Sequence, residues 1–103
     1  MRRILIEAQA EAELREAISW YEEQSPELGD SLWEAIDEVL QRLRVEPDGG
    51  TVVPDVDPVH RLRRSFTKRF NYAVVFIPFA DEVKVVAFAH MSRRPNYWLG
   101  RVR

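Results

Sequence analysis

The chain has 103 residues, 46% of them hydrophobic, and no cysteine, which argues against general disorder, excludes disulfides and thiolate metal sites, and fits one domain with a modest core. The net charge of −2 combines thirteen acids and five bases in residues 1–48 with four acids and ten bases in residues 49–103. This split predicts either a basic face that meets nucleic acid or an acidic protein segment, or simply an acidic, solvated helix pair beside a mildly basic sheet.

The first predicted element is a short strand at about residues 3–7, which is apolar at Ile4, Leu5 and Ile6. This run is too short for a signal peptide, and no run in the chain approaches the roughly 18 apolar residues of a membrane span. Together with the absence of cysteine, these features predict a cytoplasmic protein that has no contact with a membrane.

Helical spacing follows over two stretches. In the first, residues 8–24, apolar positions recur at Leu14, Ile18 and Tyr21. Ser25-Pro26 interrupts the pattern, and because serine is a good N-cap and proline a good first helical residue, a second helix begins there or near residue 30. It ends near residue 45, and its apolar stripe comprises Leu32, Ile36, Val39, Leu40 and Leu43. The two helices are predicted to form an antiparallel hairpin, with Trp20, Tyr21 and Trp33 in the core or between the helices.

The residue pattern of the second half of the chain predicts β-strands. Proline, glycine and aspartate mark residues 47–58 as a surface loop. Three strands follow, at about residues 59–66, 72–78 and 83–90. The predicted fold class is therefore α+β, in the order β-α-α-β-β-β, with a helical hairpin packed on a small, mainly antiparallel sheet in a single domain that spans residues 1–103.

The last two strands are apolar on both faces, whereas a half-exposed antiparallel strand alternates polar and apolar residues. Strict alternation places Tyr72, Val74 and Phe76 on one face and Ala73, Val75 and Ile77 on the other, and it places Val83, Val85, Ala87 and Ala89 opposite Val86 and Phe88. The helix stripe is predicted to cover one face, against Val74, Phe76, Val85 and Ala87. The tail, a second copy or a partner segment is left to cover the other.

Two groups of residues are candidates for function. The first is a basic stripe along and after the second predicted strand: Arg61, Arg63, Arg64, Lys68 and Arg69. It suits nucleic acid or an acidic protein tail, and a solvated strand face explains it equally. The second follows the last strand: His90, Arg93, Arg94, Tyr97 and Trp98. Histidine can move a proton, arginine can hold a phosphate, and aromatic rings can stack, but a capped strand end with an anchored tail is the alternative. No metal-ligand spacing and no phosphate-binding glycine loop is present.

Residues 69–76, residues 86–98 and the helix and turn at residues 13–29 together resemble the RelE/ParE superfamily, the toxins of type II toxin–antitoxin pairs. The resemblance covers nearly the whole chain. It implies a helical hairpin on a sheet, a small cognate antitoxin as the partner, no cofactor, and no direct DNA binding without the antitoxin. The ParE-like, plasmid-stabilisation branch matches best, and some of its members inhibit DNA gyrase rather than acting as enzymes.

The alternative is a RelE-like, ribosome-dependent mRNA endonuclease, or a degenerate member that only binds its antitoxin. If the chain is a nuclease, the resemblance makes His90, Arg93, Arg94 and Tyr97 the candidate catalytic residues; otherwise the catalytic residues are unknown. Ribonuclease members typically carry an arginine just after the tyrosine of the third strand, where this chain has Ala73. We therefore expect a protein target, contacted through Arg93, Arg94, Tyr97 and Trp98.

Overall fold

Two helices pack against one face of a five-stranded sheet in the computed structural model, which describes residues 1–102. The strands and helices are β1 (Arg3–Ile6), α1 (Ala8–Gln24), α2 (Pro26–Val45), β2 (Thr51–Val52), β3 (Arg63–Phe66), β4 (Tyr72–Pro78) and β5 (Glu82–His90). The sheet order is β1-β5-β4-β3-β2. Only β1 and β5 run parallel, and the other neighbours are antiparallel. The predicted α+β fold is confirmed. Within the described residues, no helix is long and apolar enough to cross a membrane.

α1 has the predicted bounds, and α2 begins at the earlier of its two predicted starts, because the signals that set them are local. Ser25 adopts an extended conformation between the two helices, and its N–H donates to the Tyr21 carbonyl at 3.0 Å. Pro26 occupies the first turn of α2, where its missing N–H leaves no helical hydrogen bond unmade. The Ser25 hydroxyl contacts Glu27 at 3.2 Å and does not cap a backbone N–H of α2.

The connection before β3 differs from the predicted loop and strand. The region predicted as a loop contains β2, which pairs with the start of β3. The strand predicted from residue 59 begins only at Arg63, because Pro58–His60 form a 3-10 turn that the Asp57 carboxylate stabilises by accepting the Val59 N–H at 3.0 Å. Arg61 ends this turn in the left-handed conformation, with φ 55°. It is therefore not a strand residue, and alternation does not place it on the same face as Arg63.

A β-bulge in β5 overturns the predicted alternation of that strand. Val75 pairs with Ala87 while the next residue of β4, Phe76, pairs with Val85, so Val86 is an extra residue. Beyond the bulge the two faces exchange. Val83, Val85 and Phe88 face the helices, and Val86, Ala87 and Ala89 face the other side. The prediction that Ala87 packs against the helices is therefore wrong.

Both faces of the sheet are covered by the chain itself. The helix-side core joins the predicted α2 stripe, Leu32, Ile36, Val39, Leu40 and Leu43, to Val74, Phe76 and Val85. On the opposite face, the C-terminal segment brings Tyr97, Trp98, Leu99 and Val102, and the connection before β3 brings Val53, Val56 and Leu62. The tail and this connection therefore supply the second cover, which the sequence left open.

Two tryptophans predicted to be buried lie on the outer surface of the hairpin. Trp20 is 56% exposed and Trp33 is 42% exposed. Each directly precedes or follows a stripe residue, so the 100° rotation per residue carries it out of the buried stripe. Tyr21 does pack on the helix-side core, where its ring meets Phe70 edge-on at 5.1 Å. The hairpin thus presents two large aromatic side chains outward.

Candidate functional site

A small cavity of about 80 Å³ lies where the C-terminal segment folds back over the ends of β4 and β5. Its apolar floor is formed by Ala73, Val75 and Ala89, and its polar rim by His90, Arg93 and Arg94. The tail reaches this position because the chain turns sharply after β5, where the Arg93 N–H donates to the His90 carbonyl at 3.0 Å. The structure therefore brings most of the predicted C-terminal cluster together around one cavity.

His90 is held by the turn that follows its strand. Its Nδ1 accepts the backbone N–H of Ser92 at 3.1 Å and lies 2.7 Å from the Ser92 hydroxyl. Its ring also meets the Tyr72 ring edge-on at 5.0 Å. Because Nδ1 accepts a hydrogen bond, the neutral ring carries its proton on Nε2, so neither ring nitrogen is left as a free base. This arrangement suits a strand-end support better than a general base.

Arg93 and Tyr97 form a stacked pair at the rim of the cavity. The guanidinium carbon of Arg93 lies 3.8 Å from the centre of the Tyr97 ring, which is a close cation–π contact. Arg93 stays more than half exposed. Its neighbour Arg94 is exposed and forms no hydrogen bond or ion pair with any described residue. Two arginines are therefore presented to solvent, and one of them has a fixed orientation.

Trp98 does not share that surface. It is only 3% exposed and packs in the core on the tail side of the sheet, with Val86 and Ala89. Its ring therefore anchors the C-terminal segment and cannot be a surface contact as the chain stands. Ala73 lies buried at the floor of the same cavity, so the position that carries an arginine in nucleases holds only a methyl group here.

Glu13, on α1, is the centre of the hydrogen-bond network that holds the tail. Its carboxylate is 14% exposed and accepts the Tyr97 hydroxyl, the Arg101 guanidinium at 2.8 Å and the Phe88 N–H at 3.2 Å. Arg101 also donates to the Val86 carbonyl at 3.0 Å. Because β1 pairs with β5 only as far as Val85, the next polar groups on that edge need other partners, and Glu13 and Arg101 supply them.

Sequence reasoning missed this network. The first helix is rich in glutamates, and the pattern of residues gives no sign that Glu13 differs from Glu11 or Glu16. Arg101 lies beyond the predicted cluster. Only the packing of the tail against α1 and β5 makes this one carboxylate structural.

The network makes stability sensitive to alkaline pH through Tyr97. Burial and the hydrogen bond to Glu13 raise the pKa of Tyr97 above its ordinary value of 10.0. Because the folded state holds the Tyr97 proton more tightly than the unfolded state, the stability that this hydroxyl contributes is fully present below pH 10. It is lost as the pH rises further. We expect Tyr97→Phe to lower the free energy of unfolding by about 1 kcal/mol at pH 7 and to lose less stability above pH 10 than the parent.

Urea unfolding at a series of pH values from neutral to strongly alkaline measures both effects. Tyr72, whose pKa is also raised by burial, keeps some alkaline sensitivity in the variant. Parallel curves for parent and variant would show that Tyr97 does not contribute to the alkaline loss.

The predicted basic stripe is not one surface. Arg61 donates to the Pro78 carbonyl at 2.9 Å, and Arg63 donates to the carbonyls of Asp48 at 2.7 Å and Gly50 at 3.2 Å. These two arginines fasten the connection before β3 to the sheet. Lys68 forms an ion pair with Glu38 at 3.1 Å, and Arg69 lies over the Phe70 ring at 5.0 Å. The fifth member, Arg64, lines the cavity described above.

No cluster of three or more histidine, cysteine, aspartate or glutamate side chains able to hold a metal ion is found within residues 1–102.

Comparisons with known proteins agree with this fold. The family described as "ParE toxin of type II toxin-antitoxin system, parDE" matches residues 4–95. A solved chain described as "Chromosomal ParDE TA system from P. aeruginosa" has a TM-score of 0.71 and 18% identity, covering 87% of this chain and 96% of that one. No curated protein matches the sequence. Since the family match covers most of the chain, the protein belongs to the ParE toxin family of type II toxin–antitoxin systems.

Proposed function

We propose that the protein is a cytoplasmic toxin that a small cognate antitoxin neutralises, and that it acts on a protein target such as DNA gyrase. The observation that carries the target proposal is the exposed pair Arg93 and Arg94, with Arg93 stacked on Tyr97 at 3.8 Å. Arginine and large aromatic residues dominate binding hot spots in protein interfaces. The stack restricts Arg93 before binding, which lowers the entropy lost on contact.

Two observations weigh against the alternative, a ribosome-dependent mRNA endonuclease. Ala73, on β4, supplies no cation where ribonuclease members typically carry an arginine. The Nδ1 atom of His90 is engaged by Ser92, so the neutral ring has its proton on the other nitrogen. Proton transfer from a ribose hydroxyl needs a free basic atom within hydrogen-bond reach. A role as a binding protein therefore fits this site better than catalysis.

The antitoxin must bind a surface that the chain leaves uncovered. Both sheet faces are covered, so the outer side of the hairpin and the sheet edges remain. The exposed rings of Trp20 and Trp33 are the large aromatic groups on that side of the hairpin, and exposed aromatic groups of this size are typical of interaction sites. The solved relative from a ParDE TA system supports a partner protein. We therefore place an amphipathic antitoxin segment across the hairpin.

Co-expression with the small protein encoded beside it is expected to give a complex that survives gel filtration. A Trp20→Ala/Trp33→Ala variant should weaken this complex by at least about tenfold, because each ring is an anchor of the size that dominates interfaces. Exchange of exposed Phe79 for alanine is the matched control, since that ring lies elsewhere on the molecule, on the turn after β4. If the double variant binds the antitoxin as tightly as the parent, the antitoxin binds a sheet edge instead of the hairpin.

Induction of the protein without antitoxin is expected to arrest growth, and an Arg93→Ala/Arg94→Ala variant is expected to relieve the arrest. Purified gyrase supercoiling activity, measured with parent and variant, tests the target directly. Arg15→Ala is a suitable control because Arg15 is an exposed cation that pairs only with Glu11 on the same helix turn. If the folded double variant is as toxic as the parent, the arginines do not contact the target. Cleavage of ribosome-bound mRNA by the parent would establish the nuclease instead.

A further inference from the structure

Each exposed tryptophan of the hairpin lies between two acidic residues of its own helix, one turn before the ring and one turn after it. The residues are Glu16 and Glu23 for Trp20 on α1, and Asp30 and Asp37 for Trp33 on α2. Side chains three or four positions apart are neighbours on a helix surface, so each ring has a carboxylate on either side along the helix. We term this arrangement an acidic tryptophan site, and each helix of the hairpin carries one.

The carboxylates of the two acidic tryptophan sites form no ion pair within residues 1–102. One of them, Asp37, accepts the side-chain amide of Gln41 at 3.1 Å, which leaves its charge uncompensated. Arginines of the same helices pair with other acids, Arg15 with Glu11 at 3.2 Å and Arg42 with Glu38 at 3.7 Å. The hairpin therefore presents negative charges beside both rings without counter-ions of its own.

The tryptophan rings are also free of the chain's own cations. Every arginine that lies over an aromatic ring within residues 1–102 lies over a phenylalanine or a tyrosine. Trp20 meets the Tyr21 ring at 4.9 Å and 86°, and it still remains 56% exposed. Tryptophan is the aromatic side chain that attracts cations most strongly, and a carboxylate beside the ring attracts the same cation. Each site therefore suits a lysine or arginine side chain of another molecule.

The charge of these sites limits what can cover them. Nucleic acids and anionic membranes carry the same sign of charge as the hairpin and would be repelled. A symmetric pair of hairpins would bring the same four acids together, because a two-fold interface places the same patch on both subunits. The tail surface of Arg93 and Arg94 attracts the opposite sign of charge, so the hairpin and the tail select different parts of a partner.

We propose that the hairpin binds a cationic amphipathic segment of a partner protein, in which lysine or arginine residues border an apolar stripe. The stripe packs on the rings of Trp20 and Trp33, and the cations contact the indole faces and the carboxylates beside them. This inference rests on the proposed function, which places the antitoxin on the hairpin, and it adds that the antitoxin segment bound there is positively charged. A purely acidic antitoxin tail fits the surface of Arg93 and Arg94 instead.

Two synthetic helical peptides of equal length test this preference on the full-length protein. Both carry the same leucine stripe and neither contains tryptophan, but lysine and arginine border the stripe in one and glutamate borders it in the other. Tryptophan fluorescence follows binding at low salt. The cationic peptide is expected to bind at least about tenfold more tightly than the acidic one, and added salt should weaken it. Equal affinity for both peptides, or no binding of the cationic one, overturns the proposal.

Three double variants, each of which removes two negative charges, locate the binding. They are Glu16→Gln/Glu23→Gln, Asp30→Asn/Asp37→Asn and, as the matched control, Asp48→Asn/Asp55→Asn. Each of the first two is expected to weaken the cationic peptide by at least about threefold, the scale of two exposed ion pairs. The control removes exposed acids of the connection before β3 that form no ion pair within residues 1–102, and it should change the dissociation constant by less than about twofold. An equal loss in all three variants would show general charge attraction and contradict the proposal.

The complex with the co-expressed small protein separates this inference from the proposed function. If that complex needs Trp20 and Trp33 but is unchanged in both hairpin charge variants, the proposed function stands and the cationic assignment is wrong. If the cationic peptide binds as expected and no complex forms, the hairpin has the inferred preference and the antitoxin assignment is wrong. Sedimentation of the protein alone tests a second copy as the occupant. Self-association that Arg93→Ala/Arg94→Ala abolishes would assign the hairpin to the basic tail surface of another copy and overturn the proposal.

Discussion

Replacing Leu40 with alanine is expected to lower the free energy of unfolding by about 2–5 kcal/mol, the usual range for a buried leucine truncation. Leu40 is 4% exposed and lies in the helix-side core with Ile36 and Leu43. The truncation removes apolar contacts and leaves a cavity that α2 cannot close, because both of its ends are fixed. The Ser25-Pro26 turn holds one end, and the other is held where Arg44 donates to the Arg2 carbonyl at 3.1 Å.

Chemical denaturation of parent and variant measures this change. Leu5→Ala is the matched control, because Leu5 is an exposed leucine on β1. We expect it to cost less than about 1 kcal/mol, the scale of strand-propensity differences. A cost for Leu40→Ala below about 0.5 kcal/mol, which is typical of surface substitutions, would show that the helix phase in solution differs from the one described.

Replacing Glu13 with alanine is expected to cost about 2–4 kcal/mol and to release the C-terminal segment. Hydrogen bonds to charged groups are worth about 1.5–3 kcal/mol, and removing one partner of a largely buried network leaves the others unsatisfied. Three donors lose their acceptor at once: the Tyr97 hydroxyl, the Arg101 guanidinium and the Phe88 N–H. Since Arg101 and Tyr97 belong to the segment that carries Trp98, that ring should become more accessible to solvent.

Urea unfolding measures the stability, and tryptophan fluorescence with acrylamide quenching follows Trp98 in a Trp20→Phe/Trp33→Phe background. Glu11→Ala is a matched control on the same helix. Its carboxylate is exposed and pairs only with Arg15 at 3.2 Å, so the expected cost is within about 1 kcal/mol. Glu13→Gln keeps the shape and one acceptor oxygen and should fall between the two. If Glu13→Ala loosens neither the fold nor Trp98, the network does not hold the tail.

The helices could be predicted from the sequence because their signals lie within a few residues of each other. The spacing of Leu14, Ile18 and Tyr21 and the break at Ser25-Pro26 predict α1 with the bounds that the structure shows, and α2 begins at the earlier of its two predicted starts. The strands β4 and β5 were equally clear, since each is a run rich in valine and aromatic residues between turn residues. The resemblance of the sequence to the RelE/ParE superfamily also predicted the fold, and the family match supports that resemblance.

Features that depend on distant partners could not be predicted. The bulge at Val86 accompanies a change in the register of β5 against β4 between Val75 and Phe76. The residue pattern of β5 alone does not indicate where this change occurs. The 3-10 turn at Pro58–His60 is instead a local feature that the strand prediction missed, in which the Asp57 carboxylate accepts the Val59 N–H. Helical spacing predicts Trp20 and Trp33 to lie in the core or between the helices, but each is a neighbour of a stripe residue rather than a member of the stripe, and both are exposed.

The candidate site shows the same division. The sequence by itself determined that cations and aromatic rings concentrate after the last strand, because that is a fact of composition and order. The family resemblance placed Ala73 where ribonuclease members typically carry an arginine. Only the tertiary structure decided what each side chain does. It buried Trp98 and brought Glu13 and Arg64 to the tail, because β3, β5 and α1 meet there although they are distant in the chain. Side-chain roles follow from such long-range contacts, which periodicity and residue type do not encode.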